Sequence, residues 1–155
     1  MAKNYWLIKT DPADFSIEDL KKSKNQTTTW DGVRNYQARN FIRDEMKTGD
    51  EVLFYYSQSD PNAVFGICKV TKDAYPDPSQ FDKKDKHYFP DADPSNPPWY
   101  SVDITLVKEL KKPVSVPEIK ANPKLKNMSL LQRGNRLSVM PVTKEEFDEI
   151  LKMVG

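Results

Sequence analysis

Six of the chain's twelve prolines fall between Asp73 and Pro98. Proline lacks a backbone N–H and fixes φ, so it is excluded from helix interiors and central strands. That stretch is therefore an irregular excursion for much of its length, and the fold must be assembled from the segments on either side. Before it, Tyr5–Thr10 reads as a strand closed by Asp11-Pro12, and Ser16 with Asp19 opens a short helix. Thr27–Trp30 is extended and turned by Asp31-Gly32. From Asn35 the spacing is helical, with Ala38, Phe41, Ile42 and Met46 on one face and Thr48-Gly49-Asp50 as the stop. Glu51–Ser57 and Ala63–Lys72 read as strands joined by a hairpin turn. After the excursion, Trp99–Lys108 alternates as a strand with Tyr100, Val102, Ile104 and Leu106 on one face. Short helices follow near Val116–Ala121 and Met128–Gln132. Leu137–Met140 is a last strand stopped by Pro141, and Thr143–Glu146 is a capping box opening a helix to about Met153.

Short strands interleaved with short helices, without a βαβ rhythm, give an α+β protein. A small, strongly bent mixed barrel of five to six strands with peripheral short helices fits best, with sites at the barrel mouth. The 155 residues suit one domain spanning 1–155. Lys and Arg number 24 against 23 Asp and Glu, a net charge of +1. This excludes a globally basic nucleic-acid sponge, so any such site is a local patch. The single cysteine and single histidine exclude an internal disulfide and argue against a metal centre. No apolar run approaches the roughly 18 residues of a membrane span, and the first residues enter a strand without a leader-like stretch. The expectation is a cytoplasmic monomer, or a nuclear one in a eukaryote, with no cofactor and no membrane partner.

None of the common nucleotide-binding, metalloprotease or hydrolase motifs is present. Strict alternation puts Cys68 on one face with Val64 and Val70, as an inert core thiol. His87, in Asp85-Lys86-His87-Tyr88, reads as a solvated side chain without an orienting partner. Trp30 belongs to no apolar stripe. It sits at the rim of a turn beside Arg34 and Asn35, equally suited to stacking on a planar ligand or to plugging a barrel end. Trp99 falls on the polar face of its strand, as packing for the proline-rich loop or as a pocket wall. Tyr55 and Tyr56 take opposite faces. All five arginines lie in two clusters: Arg34, Arg39 and Arg43, then Arg133 and Arg136. Between Lys108 and Arg136, eight basic residues face two acidic ones. If the two segments adjoin, they form a local anion-binding patch in which Arg39, Arg43 and Arg133 contact a nucleic-acid backbone.

Several blocks resemble the EVE domain family: Tyr5-Trp6-Leu7-Ile8-Lys9, the Trp30–Asn40 run WDGVRNYQARN, Gly49-Asp50, Phe54–Ser57, Phe65-Gly66-Ile67, Trp99–Asp103 and Arg136–Val142. They occur in the family's order and span nearly the whole chain. Two departures are mild: Thr10-Asp11-Pro12 where members often carry Ser-Glu-Pro, and Tyr56-Ser57 where they often carry His-Ser. The resemblance implies a PUA-like barrel, distantly related to the YTH domain, that binds modified nucleobases without catalysis. The expected ligand is a modified cytosine in DNA, with RNA as the other possibility. Carried over by position, Trp30 is a wall of the base pocket and Trp99 a second wall. Lys9, Val33, Arg34, Asn35, Tyr56, Ser57, Arg136 and Ser138 are pocket or rim residues. Two other readings compete. One is a small hydrolase of modified nucleosides using Lys9 and Thr10. The other is a protein-interaction adaptor presenting Tyr75–Pro98.

Overall fold

The computed structural model describes residues 3–135 and 137–154; Arg136, one of the candidate pocket residues, lies outside the described residues. Six strands form one mixed sheet: β1 (Tyr5–Thr10), β2 (Thr27–Trp30), β3 (Glu51–Tyr56), β4 (Ala63–Pro76), β5 (Tyr100–Ser115) and β6 (Val139–Val142). Their order is β2-β5-β4-β3-β1-β6, with β1 parallel to β3 and every other neighbour antiparallel. This is the α+β, PUA-like architecture expected from the sequence. β2 and β6 are the sheet's two hydrogen-bonding edges, so among the described residues no ladder closes it into a full barrel.

The central strands β1 and β3 are apolar on both faces because both faces are covered. On one face Trp6, Ile8, Val52 and Phe54 pack with Ile17 and Leu20 of α1 (Ile17–Lys22) and Ala38 of α2 (Tyr36–Asn40). On the other, Leu7, Leu53 and Tyr55 meet Ile119 of α3 (Val116–Ala121) and Phe147 and Ile150 of α4 (Lys144–Met153). Burying a residue of this kind contributes about 1.5–3 kcal/mol relative to leaving it exposed.

Departures from the sequence expectation have local causes. Phe54 pairs with Gly66 and Tyr55 with Val64, so Phe65 is an extra residue in β4. That bulge reverses the alternation: Cys68 and Val70 stay in the first core while Val64 turns into the second. Burial then pushes the Cys68 thiol up to about 12, which makes it inert at neutral pH. β6 carries Pro141 within it rather than ending before it. This is tolerated because β6 is an edge strand and need not offer that N–H. The helical run from Asn35 divides into α2 and a π-turn over Phe41–Glu45. The segment expected as a helix at Met128–Gln132 is a single 3₁₀ turn, Ser129–Leu131. β4 and β5 run four and seven residues beyond the expected ends, so the excursion begins as paired strand.

One buried carboxylate fastens the first strand. Asp50, 3% exposed, accepts from the Trp6 indole Nε1–H at 2.9 Å and from the backbone N–H of Asn4 and Lys47 at 3.0 and 2.9 Å. Replacing it leaves a buried indole donor unpaired. We predict that Asp50→Ala lowers stability by about 2–4 kcal/mol, seen as a fall of about 5–15 °C in the thermal unfolding midpoint.

Candidate nucleobase-binding site

A hollow lies beside the ends of β1 and β2 and the approach to β6. It has a volume of about 940 Å3 and draws its walls from the ends of β1 (Lys9, Thr10), β2 (Thr27–Trp30), the residue before β6 (Ser138) and the loop segment Lys84–His87. Trp30 is one of its lining residues, at the end of β2, where the strand pairs Trp30 with Val102 of β5 and then breaks off. The indole is half-buried. It meets Phe54 at 5.9 Å and Phe15 at 6.1 Å, both edge-on, so the ring is braced by the core while part of it faces the hollow.

The turn after Trp30 is set by Asp77, a fully buried carboxylate in the proline-rich excursion. Its Oδ2 accepts from the Gly32 N–H at 2.8 Å and from Arg34 Nη1 at 2.9 Å. Its Oδ1 accepts from the Ser79 N–H at 2.7 Å and the Ser79 hydroxyl at 2.6 Å. Gly32 has φ +78°, and a Cβ there would lie 2.6 Å from the His87 ring, so conformation and packing both require glycine. Arg34 completes the join: Nη1 also donates to the Val33 carbonyl, and Nη2 donates to Ser79 Oγ at 3.1 Å and the His87 carbonyl at 2.6 Å.

The sequence candidates separate into groups. Lys9, Trp30, Val33, Arg34 and Ser138 converge on the hollow. All four terminal N–H groups of Arg34 are engaged, so this residue builds the wall rather than offering a free cation. The backbone of Ser138 is held beside Lys9, whose N–H donates to its carbonyl at 2.9 Å. Burial lowers the Lys9 ammonium below the ordinary lysine range. The other candidates are placed elsewhere. Asn35 caps α2, accepting from the Ala38 N–H at 3.0 Å, and faces a shallow hollow shared with Gln37, Arg133 and Asn135. The Tyr56 hydroxyl accepts from the Ile17 N–H at 2.8 Å and its ring stacks on Phe65; Ser57 donates to the Thr10 carbonyl. Trp99 is 3% exposed, stacked 4.7 Å from Tyr36 and edge-on to Phe89, with the Arg34 guanidinium over its ring. It anchors the returning loop, and Gln80 holds its backbone at both N–H and C=O.

Arg39 and Arg43 lie side by side, both within reach of Asn40 Oδ1; Arg39 also donates to the Pro98 carbonyl and Arg43 pairs with Asp44. The shallow hollow joins Asn35 and Gln37, at the start of the helical segment, to Ser129 and Arg133, so those two parts of the chain do adjoin. Thr10 faces the main hollow, but its hydroxyl donates to the Phe15 carbonyl at 2.7 Å.

Two further lining residues are not among the sequence candidates. His87, expected as a solvated side chain without an orienting partner, is instead a half-buried wall of the hollow, with its Nδ1 3.2 Å from Asp85 and its ring against Gly32. It arrives there because Asp77 and Arg34 pull the excursion onto the Trp30 turn, a contact no local pattern encodes. Asp31 also lines the hollow. It is an exposed residue, and partial desolvation, followed by the negative charge of Asp77, raises its carboxyl above the usual range.

Burial alone would raise the Asp77 carboxyl as well, but the hydrogen bonds from Ser79, Arg34 and Gly32 outweigh it and hold it below its ordinary 3.8. A depressed carboxylate stabilises the fold above its unfolded value and loses that contribution as pH falls through its folded one. We therefore expect Asp77→Asn to be about 1–3 kcal/mol less stable than the parent at pH 7. Urea unfolding at descending pH should show this gap closing below about pH 3.8.

The EVE domain family profile matches residues 4–153. Thymocyte nuclear protein 1 of Rattus norvegicus is 45% identical over 167 aligned positions, covering 97% of this chain and 73% of that protein. The human THYN1 protein, solved in complex with 5-methylcytosine-containing DNA, superposes with a TM-score of 0.91 at 43% identity, covering 98% of each chain. A solved protein from Pseudomonas syringae superposes with a TM-score of 0.91 at 42% identity, covering 97% of this chain and 99% of that one. Nearly end-to-end agreement in sequence and in fold leads to one conclusion: the chain belongs to the EVE domain family.

Proposed function

We propose that this chain binds DNA carrying a modified cytosine and receives the base in the hollow beside Trp30, without chemical turnover. The observation that carries this reading is the braced, half-buried indole facing a hollow whose rim is polar. The human relative solved with 5-methylcytosine-containing DNA supports it, at 43% identity over almost the whole chain.

The energetics limit what such a site achieves. Extruding a base costs a few kcal/mol, and stacking on an aromatic returns about 1–3 kcal/mol. These terms nearly cancel, so backbone contacts and base-edge hydrogen bonds decide affinity. One buried methyl adds about 0.8 kcal/mol, so preference for methylated over plain cytosine is about fourfold to tenfold. The phosphates are met by cations at the rim. Lys84 and Lys86 border the hollow, and Arg133 lines the shallow hollow beside Asn35. The Thr10 hydroxyl, spent on a backbone carbonyl, disfavours the hydrolase reading, under which acylated cytidine would be cleaved.

Two measurements test the proposal. Trp6 and Trp99 are buried at 2% and 3% exposure, whereas Trp30 keeps exposed surface facing the hollow. A methylated oligonucleotide should quench tryptophan fluorescence and shield it from acrylamide, and Trp30→Phe should abolish most of that change. Trp30→Ala should erase the preference for methylated over plain DNA; if the preference survives in that variant, the pocket is elsewhere. Replacing Lys84 and Lys86 together by Gln should weaken methylated and plain DNA alike. For every phosphate no longer neutralised, the slope of log K against log salt should flatten by about 0.9.

A further inference from the structure

Methylation at C5 makes cytosine resemble thymine. The two bases then share the methyl group and the ring size, and they stack equally on an indole. A site that recognises 5-methylcytosine by stacking and a methyl contact alone would accept every thymine in the genome. The bases differ on the opposite edge: cytosine carries an amino donor at C4 and an acceptor at N3, whereas thymine carries a carbonyl at C4 and an N–H at N3. Separating them requires an acceptor held inside the hollow.

Four carboxylates border the hollow. Asp11 accepts from the Ala13 N–H at 2.9 Å. Asp14 pairs with Lys86 at 3.3 Å. Asp85 accepts from the His87 N–H at 2.8 Å and pairs with its ring. Asp31 is different: among the described residues, the one hydrogen bond to its carboxyl comes from its own backbone. It directly follows Trp30 and directly precedes Gly32, whose N–H is pinned by Asp77. Its backbone is thus fixed next to the stacking surface while its side chain keeps acceptor capacity.

We propose that Asp31 is the specificity-determining residue of this site, accepting the C4 amino group of methylated cytosine and rejecting thymine, whose C4 carbonyl would face a carboxylate oxygen. The proposal rests on the reading of the hollow as the base site.

The test compares duplexes that differ at one position, holding 5-methylcytosine, cytosine or thymine opposite an abasic site, so that none has a pairing partner to lose. The parent protein should favour 5-methylcytosine over thymine by about tenfold or more, the discrimination of a good base-edge contact. Asp31→Ala should bring that ratio close to one. Asp31→Asn, which keeps the shape and adds an amide donor, should bind thymine better than the parent does. The ratio of 5-methylcytosine to cytosine, set by stacking and the methyl contact, should persist in both variants. If the parent discriminates methylated from plain cytosine but Asp31→Ala keeps the parent's preference over thymine, the assignment of Asp31 is overturned and the base site stands. A parent that binds all three bases equally overturns the base site itself.

Discussion

The shape of the site depends on one buried carboxylate. Asp77 takes four hydrogen bonds: two from Ser79 in its own loop and two from the Gly32 and Arg34 segment that follows Trp30. A carboxylate at 0% exposure is costly unless its lone pairs are met, and here they are met only when the excursion lies against the turn. The same contact brings His87 to within touching distance of Gly32 and sets the Arg34 guanidinium over Trp99. An irregular loop with six prolines therefore becomes a wall in a defined position.

The second determinant is an unclosed seam. A fully closed small barrel fills its interior with side chains. In this sheet β2 is only four residues long and β6 likewise, and both lie at the edges. The ends of β1 and β2 and the approach to β6 leave a gap that the excursion roofs over without filling. Edge strands normally need protection from pairing with other chains. Shortness and Pro141 supply that here, so a feature that limits aggregation also leaves room for a ligand.

The sequence made the architecture legible because burial on both faces writes itself directly into β1 and β3, and because capping boxes at Ser16 and Thr143 mark helix starts without reference to tertiary contacts. Trp30 was legible as an outlier from every apolar stripe, and the block around it carried the family resemblance. The bulge at Phe65 was not legible, since strict alternation through Val64, Cys68 and Val70 looks the same with or without it. Asn35 and Trp99, expected at the pocket from their place in the family blocks, serve in this fold as a helix cap and a loop anchor. His87 and Asp31 depend on long-range contacts between the Trp30 turn and the excursion, which periodicity cannot reveal.

Under the proposed reading of the hollow as a base site, this arrangement divides two tasks that base recognition must combine. The apolar contribution, from Trp30 braced by Phe15 and Phe54, is indifferent to which pyrimidine enters, because stacking and a single methyl vary by little more than a kcal/mol among them. Discrimination must come from polar groups whose cost is high when mismatched, since an unpaired buried acceptor or donor costs more than a buried methyl returns. Such groups work only if they cannot swing away. In the proposed site the adjacent backbone is held by Asp77 rather than by a ligand, so the polar edge would be set before any base arrived, and selectivity would draw on folding energy rather than on binding energy.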